Sequence, residues 1–145
     1  MESGVDHASE EPHIIKQIGE YAVALRAAES LLRDAARVFD EHEQDPDNKE
    51  LQDQLILSVA TARAHSDSAS LKISSDIFSL LGASSSLSKW NLDRFWRNAR
   101  VHTTHDPIRW RLHHVGNYYL NGVDPGEYTA ILNAKEQQGA TRPAP

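Results

Sequence analysis

Two long segments with the apolar period of an α-helix constrain the fold of this 145-residue chain more than any other feature. In the first, over residues 13–42, apolar side chains recur at alternating intervals of three and four residues: Ile18, Tyr21, Leu25, Ala28, Leu32, Ala35 and Phe39. This spacing predicts an apolar seam along a helix that packs nearly parallel to a partner helix. No sequence window shows the clean alternation of a strand. The pattern therefore predicts an all-α protein.

The second helical segment is predicted to run from Pro46 to Leu81. It follows an Asp-Pro pair, in which the carboxylate accepts backbone N–H bonds and the proline presets the backbone angle. Its predicted inward stripe combines apolar and small side chains at helical spacing: Leu51, Leu55, Val59, Ala62, Ser66, Ala69, Ile73, Ile77 and Leu80. The middle of this segment is rich in Ser and Ala, which let neighbouring helices approach closely. We therefore expect this helix to lie centrally in a bundle.

Shorter helices are predicted after a Gly/Ser turn, over residues 88–101, 107–120 and 124–134. Residues 1–12 are acidic and aperiodic, and residues 135–145 end in Gly, Thr, Pro and Ala. Both are predicted to be mobile tails that flank one helical domain over residues 13–134.

The predicted fold is an antiparallel helical bundle of the four-helix type. Each long helix would measure about 45 Å, whereas the later helices are about half that length. The short helices cannot cover both long ones from end to end. We therefore expect an incomplete four-helix bundle that another chain or a further segment completes, with association through the seam of residues 18–39.

Composition excludes several classes of site and partner. The chain has no cysteine, so disulfides, thiolate metal sites and cysteine nucleophiles are excluded. The net charge of −6 disfavours general nucleic-acid binding, but residues 89–114 hold six basic and two acidic side chains, which suggests that this stretch faces an anion. No apolar run reaches the length of a membrane span, and the N-terminus lacks the pattern of a signal peptide. We expect a soluble cytoplasmic protein without a membrane partner.

Two histidines three residues apart, His102 and His105, are the candidate catalytic residues. They lie where the third predicted helix gives way to the fourth, and they share a face if the last turn stays helical. Imidazole exchanges protons near neutral pH, so such a pair could protonate a leaving oxygen or stabilise an anion. The alternatives are that both residues only cap the helix, or that they bind a metal together with His113 and His114. Adjacent helical histidines point about 100° apart, so we predict no metal.

A second candidate feature is the set of three arginines at positions 94, 97 and 100, which share one side of the third predicted helix beside Phe95 and Trp96. Arginines interleaved with aromatic residues contact nucleic acids, bind a cofactor phosphate, or bury their stems over aromatic rings. The acidity of the chain disfavours the first option. Residues 82–86 form either a simple linker or a turn that presents N–H groups and hydroxyls to a phosphate.

Taken together, these motifs resemble the C-terminal helical domain of acyl-CoA dehydrogenase-like flavin monooxygenases, of the dibenzothiophene and sulfone monooxygenase type. The resemblance covers about residues 12–123. Its most specific parts are the run LDRFWRNAR at residues 92–100 and the run HTTHDP at residues 102–107, and weaker matches are IGE at 18–20, RAA at 26–28, GAS at 82–84 and VGNY at 115–118.

The resemblance implies a two-component monooxygenase that takes reduced FMN from a separate flavin reductase and oxidises a sulfur or similar heteroatom. FAD is the second candidate cofactor. The resemblance places His102 and His105 beside the flavin ring as the residues that manage protons. It places Gly82, Ala83 and Ser84 at the phosphate side of the flavin, with Arg97 as a further cofactor-binding residue.

The sequence departs from the family pattern by its length. The N-terminal helical domain, the central β domain and one helix of the C-terminal bundle have no counterpart here, so a truncated gene and one part of a split protein are both open interpretations. We expect the chain alone to bind FMN weakly and to leave substrate unconverted. Its partners are then the remaining part of such an enzyme or further copies of itself. The alternative function is a non-catalytic helical module for oligomerisation or partner binding.

Overall fold

The computed structural model describes residues 4–105 and 108–126, and every regular element within them is helical. The helices are α1 (Pro12–Gln44), α2 (Lys49–Leu81), α3 (Asp93–His105) and α4 (Ile108–Asn121), with short 3-10 turns at Ala8–Glu10 and Ala83–Ser86. This order confirms the all-α prediction. Two predictions concern residues that the structure does not describe. The predicted helix over residues 124–134 lies mostly outside the described residues, and the predicted tail at 135–145 lies entirely outside them.

The described chain forms two compact units, each of which contains part of α1 and part of α2. One unit contains residues 4–30 and 65–105 together with Ile108, and the other contains residues 31–64 and 109–126. The first unit contains α3 and therefore both candidate histidines. Within the described residues, no helix is both long enough and apolar enough to cross a membrane.

The α2 helix begins three residues later than the Asp-Pro signal predicted. Residues 45–48 form a turn in which the backbone N–H of Asn48 donates to the carbonyl oxygen of Asp45 at 3.1 Å. The side-chain oxygen of Asn48 then accepts from the backbone N–H of Leu51 at 3.2 Å. Asn48 is therefore the N-cap of α2, and Asp45 shapes the preceding turn instead.

The α3 helix is shifted along the chain relative to its prediction, from residues 88–101 to Asp93–His105. Backbone bonds from Trp90 to Leu87 and from Asn91 to Ser88 form turns before it. Asn91 has a φ of 48°, a left-handed conformation that a helix cannot contain. The helix starts only after this residue, and it continues through His105.

The inward face of α1 differs from the predicted seam. Tyr21, Ala35 and Val38 are buried, whereas the four largest remaining members of that seam are about half exposed or more: Ile18, Leu25, Leu32 and Phe39. The seam was predicted to pack along a partner helix, and these four residues are accessible in the single chain. The covered positions also follow intervals of three and four residues, but they include the polar side chains of Gln17 and His42. A prediction from apolar residues alone therefore identifies a different face of α1 from the one that is covered.

The α2 helix is covered on several sides, as expected for a central helix. Among residues 55–67 only Val59 is exposed, and it is the one member of the predicted inward stripe that faces out. Ala60, Ala62 and Asp67 are buried.

Candidate functional site

The α3 helix presents both candidate catalytic histidines. Because the helix continues to His105, the two imidazoles lie one turn apart on one helix face. Both residues are exposed. Thr103, between them in sequence, is buried, and its hydroxyl donates to the carbonyl oxygen of Arg100 at 3.0 Å. The buried Thr103 thus marks the face by which α3 packs.

A buried carboxylate lies against the first of these histidines. Asp67 Oδ1 on α2 is 3.8 Å from His102 Nε2, a distance that joins an ion pair when the imidazole is protonated. The Asp67 side chain is 4% exposed, whereas the His102 side chain is 65% exposed. The arrangement is an accessible imidazole backed by a carboxylate from a second helix. The imidazole is therefore accessible from solvent, while its Nε2 faces a buried carboxyl group.

Asp67 is a site residue that the sequence patterns do not single out. It lies between Ser66 and Ala69, which belong to the predicted inward stripe. The sequence feature that could have identified Asp67 is that it is the one acidic residue between Asp53 and Asp76. A lone acid in a small-residue segment that packs on several sides is a candidate for a buried, functional carboxylate.

An apolar groove lies beside the pair formed by His102 and Asp67. Its volume is about 390 Å³, and it is lined by residues of α2 and α3: Ser70, Ile73, Ser74, Ile77, Phe95 and Ala99. The hydroxyls of Ser70 and Ser74 donate to the carbonyl oxygens of Asp67 and Leu71 on their own helix, at 3.0 and 3.3 Å. The groove therefore offers mainly apolar surface. It starts one helical turn from the pair, because Ala99 precedes His102 by three residues.

The predicted cofactor-binding residue Arg97 is exposed and engaged at the start of its own helix. Its Nε lies 3.3 Å from Asp93 Oδ2, and its terminal nitrogen donates to the side-chain oxygen of Asn91 at 3.0 Å. The neighbouring arginines lie over aromatic rings, with Arg94 4.3 Å from the centre of Phe95 and Arg100 5.8 Å from the centre of Trp96. The exposed side of α3 therefore combines cations with aromatic faces.

The other predicted cofactor-binding residues, Gly82, Ala83 and Ser84, are exposed in the turn that ends α2. Gly82 donates its N–H to the carbonyl oxygen of Phe78 at 3.1 Å. The next hydroxyls are turned back onto this turn, since Ser85 donates to the carbonyl oxygen of Gly82 at 2.6 Å and Ser86 to that of Ala83 at 2.7 Å. The α3 helix begins only at Asp93, so this turn does not lead directly into a helix N-terminus as the sequence suggested.

The alternative metal prediction combined His102 and His105 with His113 and His114. His113 is exposed and His114 is buried on α4, and these two belong to the unit that does not contain His102. Among residues 4–105 and 108–126, no three His, Cys, Asp or Glu side chains lie close enough together to hold a metal ion.

Residues 2–110 match the family described as acyl-CoA dehydrogenase, C-terminal domain. This stretch includes α1, α2 and α3 with both candidate histidines. The dibenzothiophene monooxygenase of Rhodococcus erythropolis is 34% identical over 125 residues, which cover 85% of this chain and 30% of that protein.

Two solved structures have a similar fold. The methanesulfinate monooxygenase MsuC from Pseudomonas fluorescens superposes with a TM-score of 0.81 at 35% identity, covering 86% of this chain and 33% of its own. The FMN-bound TdsC from Paenibacillus sp. A11-2 superposes with a TM-score of 0.80 at 33% identity, covering 84% of this chain and 31% of its own. The chain therefore spans about a third of the length of the proteins that it matches.

Proposed function

Because the chain belongs to the acyl-CoA dehydrogenase C-terminal domain family, we propose that it forms the flavin-side helical part of an FMN-dependent monooxygenase. The observation that supports this most directly is the exposed imidazole of His102 with a buried carboxylate behind it. The similarity to the FMN-bound TdsC supports FMN as the cofactor beside which this imidazole would act. A separate cytoplasmic flavin reductase supplies reduced FMN in this proposal.

The exposed residues of α3 fit one wall of an FMN site. FMN combines a flat aromatic ring system with an anionic phosphate, and α3 exposes both the rings and the cations that such a molecule contacts. Phe95 and Trp96 offer the aromatic faces, while Arg94, Arg97 and Arg100 offer the positive charge. The exposed turn of Gly82, Ala83 and Ser84 is proposed to lie at the phosphate side. Reduced FMN supplies the oxygen-activating chemistry when it is bound.

His102 and His105 are proposed to hold and move protons in this site. Both side chains are exposed on one face of α3, so a ligand lying along this face reaches both imidazoles. An imidazole alternates between acid and base near neutral pH, which suits transfer of a proton to or from a reacting oxygen. The proposed substrates are sulfur compounds, by similarity to the monooxygenases named above.

This proposal can be tested with a chimera in which the present chain replaces the matching third of TdsC. With reduced FMN and dibenzothiophene, we expect the chimera to oxygenate the substrate and the His102→Ala variant to lose about 100-fold or more of the turnover. The matched control is His13→Ala, an exposed histidine of α1 outside the site. Full activity of an active chimera after both His102→Ala and His105→Ala would contradict the assignment.

A second candidate function is a helical module for self-association, and the exposed side of α1 favours it. Ile18, Leu25, Leu32 and Phe39 recur every seven residues on one helix and are each about half exposed or more. A repeat of seven with apolar side chains is typical of a helix that packs along a second helix. The two proposals are compatible, because α3 presents the imidazoles and α1 presents this apolar row. The test is the oligomeric state of the chain in solution.

A further inference from the structure

We infer that Asp67 is a positioning residue that sets the orientation and the tautomer of His102. The pair joins two helices of one compact unit, since Asp67 lies on α2 and His102 on α3. Asp67 is also the only acidic side chain among the buried residues of the described chain. The inference rests on the proposed function for its catalytic meaning, but the contact itself can be tested without flavin.

A buried carboxylate needs nearby polar partners, because desolvation of the negative charge is costly. The hydroxyl of Ser70, one turn along α2, donates to the backbone oxygen of Asp67 at 3.0 Å. The imidazole of His102 lies within 3.8 Å of the carboxylate. The inference requires Nε2 to approach Oδ1 to a hydrogen-bonding distance of about 2.7–3.2 Å.

The consequence for the histidine is a fixed position of its proton. A carboxylate facing Nε2 stabilises the tautomer in which Nε2 bears the hydrogen, so the ring exchanges protons at Nδ1. The carboxylate also limits rotation of a side chain that is 65% exposed. Asp67 therefore acts through His102, while His102 faces the ligand.

Nitrogen NMR of the full chain measures the tautomer of His102 directly. The spectra are recorded at about pH 8.5, which is roughly two units above the ordinary histidine pKa of about 6.5. The separation of the two ring nitrogen shifts reports which nitrogen bears the hydrogen, and a His102→Gln spectrum assigns the signals. Exposed His7 and His13 provide the reference for solvated rings. We expect a larger separation at His102 than at these two residues.

Removal of the carboxylate should abolish this difference. In Asp67→Ala, the shift separation at His102 should fall to that of the reference histidines. The matched control is Asp76→Ala, which removes a carboxylate that lies on the same helix and pairs with Lys72. This variant should leave the shift separation at His102 unchanged. An equal separation at His102 and at the reference histidines in the unmodified chain overturns the inference, so the result does not depend on how well the variant folds.

Turnover in the TdsC chimera separates this inference from the proposed function. We expect Asp67→Ala to lower kcat about tenfold with little change in KM, because an oriented proton donor acts mainly in the transition state. If the tautomer shift is absent while His102→Ala abolishes turnover, the positioning role is wrong and the proposed function stands. If the shift is present while His102→Ala keeps full turnover, the proposed function is wrong and the contact stands.

Discussion

The Nε2 atom of His65 on α2 lies 3.1 Å from the backbone carbonyl oxygen of Ala24 on α1. Both residues belong to the compact unit that contains α3. A carbonyl in the middle of a helix already accepts one bond from the next turn, so the imidazole N–H uses its second lone pair. The contact links two helices within this unit by a directional bond between a side chain and the backbone.

Replacement of His65 by alanine is expected to lower the free energy of unfolding by about 1–2 kcal/mol, from the lost hydrogen bond and the lost packing of a half-buried ring. Urea unfolding followed by circular dichroism measures the change. His7→Ala, which removes an exposed histidine outside the four helices, serves as the control and should leave the midpoint in place. A His65→Ala midpoint equal to that of the unmodified chain would show that the contact contributes nothing to stability.

The turn after α2 depends on a glycine conformation. Gly82 has φ 74° and ψ 172°, a region that other residues rarely adopt, and an added Cβ would meet no atom within 4 Å. Gly82→Ala is therefore expected to destabilise the chain by about 1–3 kcal/mol through backbone strain alone. Thermal and urea unfolding measure this loss.

The matched control for that variant is Gly19→Ala on α1, where an added Cβ also meets no atom within 4 Å. Gly19 lies inside a helix, so alanine should raise the stability there by up to about 1 kcal/mol. The same substitution is therefore expected to lower the free energy of unfolding at Gly82 and to raise it at Gly19. A stabilised Gly82→Ala protein would contradict the strained conformation.

The electrostatic environment of Glu20 gives a prediction with a defined sign. The side chain of Lys16, one turn earlier on α1, hydrogen-bonds Glu20 and lowers the pKa of its carboxyl below 4.5, with a smaller contribution from the charge of Lys72. Since the folded pKa lies below the unfolded one, this stabilisation is present above about pH 4.5 and is lost as the pH falls through the folded pKa. It should also weaken with added salt, because both side chains are exposed.

Lys16→Met should return the pKa of Glu20 toward 4.5, and carboxyl carbon NMR titration measures it. The Lys72→Met variant should give a smaller rise, in line with its smaller contribution. An unchanged Glu20 titration in the Lys16→Met protein would contradict the assigned cause.

The helical type of the described elements followed from local periodicity, but the covered face of α1 did not. The seam of residues 18–39 is the more apolar face of α1, yet the covered face includes Gln17 and His42. A polar side chain at a half-buried position depends on partners from other helices, which a pattern of apolar residues does not contain. The start of α3 was displaced for a similar local reason, since the left-handed conformation of Asn91 has no signature in helical spacing.

The candidate site was predictable to the extent that it lies on one helix. The spacing of His102 and His105 places them together once α3 is known to continue to His105. Asp67 is 35 positions away along the chain from His102, and only the packing of α2 against α3 within their unit brings it near. A contact between helices of this kind depends on the rotation of both helices about their axes, which the pattern of apolar residues along one helix does not determine.

The exposed row on α1 predicts association of the chain with itself. Leu32 is 64% exposed, and Ile18, Leu25 and Phe39 accompany it at intervals of seven residues. We expect sedimentation equilibrium to show a mass that rises with concentration. Leu32→Glu should raise the dissociation constant at least about tenfold, because burial of one leucine contributes about 1.5–3 kcal/mol and a factor of ten requires only about 1.4 kcal/mol.

Leu120→Glu provides the matched control for this variant. Leu120 is 83% exposed on α4, so the substitution introduces the same charge at a leucine outside the row. Glutamate is a good helix former, and both variants should therefore keep their helical content. If Leu120→Glu weakens association as much as Leu32→Glu, net charge rather than the α1 row controls assembly. A single monomer mass at all concentrations would remove the second candidate function and leave the imidazoles of α3 as the functional feature of the chain.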